Sequence, residues 1–127
     1  MPSGRARVLI VEDEDSILAS LEFLMRGAGH DVALARTGTE ALAAATAFRP
    51  QLVILDVMLP EIDGFEVCRR LRAREAPGPR VLMLTARGRP AEVERGRAAG
   101  ADAYLTKPFS TRDLTTRVAE LLAESRP

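Results

Sequence analysis

Short apolar runs alternate five times along this chain with longer stretches whose apolar residues recur every three or four positions. RVLIV, Arg7–Val11, reads as a buried strand. Asp15–Ala28 follows with Ile17, Leu18, Leu21, Leu24 and Met25 on one helical face, closed by Gly29. Asp31–Ala35 is a short second strand, and Thr37-Gly38-Thr39-Glu40 opens an alanine-rich helix that runs to Phe48 and stops at Arg49-Pro50. Gln51–Asp56 (QLVILD) is the most apolar strand, as one buried on both faces should be. The turn LPEIDG leads into a helix with Phe65, Cys68 and Leu71 spaced by three; the loop EAPGP precedes a fourth strand, Arg80–Leu84. Pro90–Ala99 is a poor helix, with only alanines and Val93 as apolar groups and Gly96 inside it. Asp102–Thr106 is the fifth strand. Thr111–Glu124, the last helix, has Leu114, Val118, Leu121 and Leu122 on one face.

This (βα)5 alternation predicts an α/β fold, a doubly wound parallel sheet with helices on both faces, because right-handed crossovers leave few other packings. Sites in such sheets form just outside the carboxyl ends of the strands. Glu12, Asp13, Glu14 and Asp15 follow the first strand, Asp56 ends the third, and the fourth and fifth lead into Thr85 and Lys107. An acidic cluster, a hydroxyl and an ammonium therefore converge from distant positions.

The totals narrow the function classes. A chain of 127 residues is most simply one domain, with its core at about 6–124. Eighteen basic residues balance eighteen acidic ones, which gives no electrostatic bias toward nucleic acid or an anionic membrane. No apolar run reaches membrane-spanning length, and no apolar h-region follows MPSGRAR. Cys68, the one cysteine, cannot form an internal disulfide, so a reducing, cytoplasmic location is the expectation.

Carboxylates brought together repel, so each needs a cation or a proton. With Asp13 beside Asp56, a Mg²⁺ held by two carboxylates, a backbone carbonyl and waters is the natural solution. Glu14 and Asp15 need no such role: acids favour the positive end of a helix, and Asp15 suits the N-cap. Asp56 is free of turn duty because Pro60, Asp63 and Gly64 supply the turn chemistry that follows it. A carboxylate near a divalent cation and an ammonium can act as a nucleophile toward phosphorus. Lys107 is the only lysine, against seventeen arginines. A small shared site suits a compact ammonium better than a broad guanidinium fork.

At these residues the chain resembles the receiver domains of bacterial two-component response regulators. The resemblance runs from VLIVEDE through VILDVMLPEIDGFEV and VLMLTA to GADAYLTKPF, four motifs in order on the expected elements. It implies a flavodoxin-like strand order 2-1-3-4-5. It implies Asp56 as phosphoacceptor from a sensor histidine kinase or phosphotransfer protein. It further implies Mg²⁺ bound by Asp13, Asp56 and the Met58 carbonyl, with Glu12 acting through water. Lys107 would contact the phosphoryl group, Pro108 would follow a cis bond, and Thr85 and Tyr104 would form the switch pair that signals to an effector domain or downstream protein.

The winged-helix class of regulators often carries a second Asp before the switch aromatic, where Ala103 stands here. Asp102, Asp113 and Arg117 match positions of that class's dimer face, so a homodimer surface is only partly present. Arg117 equally suits an i,i+4 pair with Asp113. His30 reads as part of a helix C-cap region, and Cys68 as core. Three rival functions are a Mg²⁺-dependent aspartyl-phosphate phosphohydrolase, a flavin-binding module and a degenerate scaffold receiver. The first lacks a general acid two residues after Asp56, where Met58 stands. The second lacks a Ser/Thr/Gly-rich loop after the first strand, and the intact Asp13, Asp56, Thr85 and Lys107 argue against the third. Gly96 and the sparse apolar face nominate Pro90–Ala99 as the least stable helix and the element that switching would move.

Overall fold

A computed structural model describes residues 5–74, 78–86 and 90–123. Ten elements alternate: β1 (Arg7–Val11), α1 (Asp15–Gly27), β2 (Asp31–Ala35), α2 (Gly38–Phe48), β3 (Leu52–Asp56), α3 (Gly64–Arg74), β4 (Arg80–Ala86), α4 (Pro90–Ala99), β5 (Ala103–Lys107) and α5 (Thr111–Ala123). The strands form one parallel sheet in the order β2-β1-β3-β4-β5. Every residue of central β3 is buried, which explains its unbroken apolar sequence.

Alternation along the strands splits the core in two. Leu9, Val11, Val53, Leu55, Val81 and Met83 meet α2, α3 and α4 on one face, through Ala41, Leu42, Phe65, Val67, Cys68, Leu71 and Ala99. Val8, Ile10, Leu52, Ile54, Leu82 and Leu84 meet α1 and α5 on the other, through Leu18, Leu21, Met25, Leu114, Val118 and Leu121. Among the described residues no helix is long and apolar enough to cross a membrane.

Local chemistry sets the element ends. The Thr37 hydroxyl accepts the Glu40 N–H at the start of α2. α1 and α4 close on glycines with positive φ, Gly29 (94°) and Gly100 (104°), each with paired hydrogen bonds back to the last turn. His30 donates its N–H to the Met25 carbonyl within that closure, as its C-cap reading requires, and its Nδ1 also accepts the Ala6 N–H.

Four local expectations are corrected. The N-cap of α1 is Glu14, in extended conformation, and Asp15 lies in the first turn, where it pairs with Arg36. β4 runs on to Ala86, so Thr85 lies inside the strand, while β5 begins one residue late and ends on Lys107. Arg117 pairs with Glu120 rather than Asp113. Gly96 is a point of close approach rather than a defect, because a Cβ there would meet Met83 and Tyr104. The end of the last helix expected at Glu124 lies outside the described residues.

Candidate functional site: an acidic cluster with one ammonium at the sheet's carboxyl edge

β1, β3 and β5 deliver their last residues to one edge of the sheet, and β4 brings Thr85 there from inside the strand. Glu12 follows β1, held by its N–H to the Ala35 carbonyl at 3.0 Å. Asp56 ends β3 and Lys107 ends β5. Glu12 and Asp56 are almost fully buried, at 1% and 4% exposure, whereas Asp13 is exposed. Buried carboxylates without partners would be costly, and Lys107 answers both. Its Nζ lies 3.0 Å from Glu12 Oε1 and 3.3 Å from Asp56 Oδ2. Asp56 Oδ1 also accepts the Met58 N–H at 3.3 Å, and Glu12 Oε2 the Glu14 N–H at 3.1 Å.

One carboxylate oxygen from each of Glu12, Asp13 and Asp56 lies within 4.8 Å of the other two. Such hard oxygen donors, two buried and one open to solvent, suit a small divalent cation with retained waters, so the residues fit Mg²⁺. Burial and then the Glu12 charge push the Asp56 carboxyl up to about 6, with Lys107 pulling the other way. Burial pulls the Lys107 ammonium down, but the hydrogen bond to Glu12 and the charge of Asp56 outweigh it, so its value is raised. The site thus holds a carboxyl that is poorly neutralised and an ammonium that stays charged.

The loop after Asp56 is fixed by backbone contact. A Cβ on Gly64 would lie 2.4 Å from the Asp56 carbonyl oxygen, so only glycine allows α3 to begin there. Gly64 donates its N–H to the Val57 carbonyl, and Ile62 to that of Pro60. Glu61 takes a φ of 71°, the left-handed turn that brings the chain back. At the loop's far side, a Cβ on Gly38 would lie 2.3 Å from the Ile62 carbonyl oxygen, so the start of α2 backs the loop.

Sequence reasoning brought Glu12, Asp13, Asp56 and Lys107 to one place, and the structure does so too. Thr85 is buried on β4, one register step past the Leu84 that pairs with Asp56, and Tyr104 pairs with Met83. The Lys107–Pro108 bond is cis. Two features were not foreseen. Glu12 takes the ammonium directly, which nothing in the local EDED pattern signals. Asp102 is held within the chain: it accepts from Arg72 (2.6 Å), Arg80 (3.2 Å) and the Val81 N–H (2.7 Å). Arg72 also reaches the carbonyls of Gly100 and Pro79. That network joins α3, β4 and β5 within one chain, so Asp102 serves as an internal tie, while Asp113 lies exposed on α5.

A five-stranded parallel sheet in this order, with acids and a lysine gathered at its carboxyl edge, defines a signalling receiver. The chain belongs to the response regulator receiver domain family, whose profile matches residues 8–119. It is 44% identical over 119 residues to the alkaline phosphatase synthesis transcriptional regulatory protein PhoP of Bacillus subtilis, covering 94% of this chain and 49% of that protein. It is 43% identical over 118 residues to the DNA-binding response regulator MtrA of Mycobacterium tuberculosis, covering 93% and 51%. The chain spans about half the length of the curated relatives it matches. Among solved structures, a response regulator of Chloroflexus aurantiacus superposes with a TM-score of 0.89 at 40% identity, covering 94% and 99% of the two chains. The chemotaxis response regulator CheY4 of Vibrio cholerae gives 0.86 at 34%, covering 92% and 98%.

Proposed function

We propose that Asp56 accepts a phosphoryl group from a phosphohistidine on a sensor kinase or phosphotransfer protein. Asp56 Oδ attacks phosphorus, the P–N bond breaks with its electrons returning to the imidazole, and an acyl phosphate is left on the chain. The observation that carries this reading is the grouping of three carboxylates within 4.8 Å beside an ammonium 3.3 Å from Asp56. In it, Asp13, Asp56 and the Met58 carbonyl would hold Mg²⁺, with Glu12 contributing through water, and the cation when bound would supply positive charge against the phosphoryl oxygens. Lys107 exchanges its contact with Asp56 for a phosphoryl oxygen while Glu12 keeps hold of it. Thr85 and Tyr104 then report the new charge to the α4–β5–α5 face. Pro108, Pro60 and Gly64 shape the loops around the site.

The chain acts as one receiver domain that controls an output, without turnover of outside substrates. Met58 supports this, because a thioether cannot supply the proton that repeated hydrolysis needs. Two of the relatives are named as a transcriptional regulator and a DNA-binding regulator, so an output of that class fits, with the receiver itself, at balanced charge, not touching nucleic acid. The location is cytoplasmic in this reading, in keeping with a lone buried thiol. The test is incubation with acetyl phosphate and Mg²⁺ followed by intact mass. One phosphoryl group should appear on the wild type, none on Asp56→Asn, and far less when Mg²⁺ is chelated. A phosphoryl gain by Asp56→Asn would overturn the assignment.

A further inference from the structure

Glycines in this fold meet three kinds of neighbour. At Gly38 and Gly64 an added Cβ would strike backbone, which cannot yield without moving a loop. At Gly27 it would meet nothing within 4 Å. Gly96, buried in the middle of α4, is different. A Cβ there would lie 2.8 Å from Met83 Sδ and 2.8 Å from Tyr104 Cε1, side-chain atoms rather than backbone. One edge of the Tyr104 ring therefore lies against the one position of α4 that has no side chain. Its hydroxyl is buried, beside the Arg97 guanidinium.

We propose that Gly96 is a positioning residue for the switch: its missing Cβ forms the slot that parks the Tyr104 ring against α4. The role rests on Tyr104 acting as the switch aromatic, and it adds what sets the ring's resting position. A methyl at 96 displaces the ring, because Met83 Sδ and the ring edge cannot both stay within van der Waals contact of it. α4 itself tolerates the methyl, since alanine favours a helix more than glycine does. Gly96→Ala thus redirects one side chain without breaking the fold.

The chain has one tyrosine and no tryptophan, so its intrinsic fluorescence reports Tyr104 alone. Acrylamide quenching of Gly96→Ala should rise severalfold over wild type, and the phenol titration, raised by burial in the wild type, should fall back toward its ordinary value. Gly27→Ala, on open surface, should change neither. Intact mass after acetyl phosphate and Mg²⁺ should show Gly96→Ala still phosphorylated, because Gly96 does not touch the Asp56 site. Thermal melts supply a second reading that survives partial unfolding: Gly96→Ala should lower Tm with Tyr104 present and raise it in a Tyr104→Ala background. Unchanged quenching, or the same Tm shift in both backgrounds, would overturn the slot. A wild type that takes up phosphate nowhere would instead sink the receiver reading while leaving the slot measurable.

Discussion

β3 and the α4–β5 segment are neighbours of β4 on opposite sides, and they are held in opposite ways. Every β3 residue is buried, Gly64 and Gly38 lock the loop after it by backbone contact, and Lys107 ties its last residue to Glu12. α4 buries only Gly96 and Ala99, and β5 buries only Ala103. In the proposed function the chemistry therefore stands on the part of the fold least able to move. The surface proposed to report it stands on the part with the least burial to lose, the low end of local stability. A site must be fixed to hold charge in place, whereas a signal needs an element with two arrangements.

Truncation should show the contrast at its largest. Ile54→Ala on β3 should cost about 2–5 kcal/mol in urea unfolding, and Val93→Ala on α4 no more than about 1 kcal/mol. Equal costs would mean that α4 is as firmly packed as the centre of the sheet. Next comes the network that keeps α4 from drifting: Arg72→Ala removes the partner of the Gly100 and Pro79 carbonyls and of Asp102. It should cost about 1–3 kcal/mol and speed amide exchange at the start of β5 more than at β3.

The site's own charge gives a smaller effect with a definite sign. Asp56 is raised from 3.8 to about 6, so its contribution to stability is fully present below pH 3.8 and is lost as the pH rises through about 6. Metal-free protein should weaken over that window. Asp56→Asn cannot ionise, so it should flatten the profile and gain on the order of 1 kcal/mol near neutral pH. The gain should shrink when Mg²⁺ stabilises the wild type; a loss at neutral pH would show that Lys107 already neutralises Asp56 fully. Smallest in free energy is Lys107→Arg, which keeps a positive charge between Glu12 and Asp56 and should leave the protein folded, at a cost of no more than about 1 kcal/mol. A broad guanidinium fits the pocket poorly. Hydrogen exchange with beryllofluoride should then show the protection change across residues 86 to 106 in wild type and not in Lys107→Arg.

The two regions also differ in how far they could be read from sequence. β3 and its site were legible, because an unbroken apolar run ending in Asp56 is a local pattern and strand-end convergence follows from the fold class. Around α4 and β5 local pattern failed. Asp102 looks like the first residue of a strand, but its partner Arg72 lies thirty residues earlier, and only the assembled sheet brings them together. Gly96 read as a defect because helix propensity counts only the helix, not the ring that lies against it. Asp15 looked like a cap, yet a distant arginine, Arg36, claims it. Such contacts are tertiary, and no spacing encodes them.

Lys107 bears the only side-chain amine in the sequence, and it sits between Glu12 and Asp56. Reagents that modify amines can therefore attach at position 107 and at the chain's α-amino group, and arginines do not compete. Reductive methylation with ¹³C formaldehyde would place a pair of labelled methyls on that nitrogen while keeping its charge. Their resonance would sit beside Asp56, shifting as magnesium or beryllofluoride enters, with only the methyls of the α-amino group as background. A composition that reserves one nitrogen type for one place gives the protein a built-in isotope address.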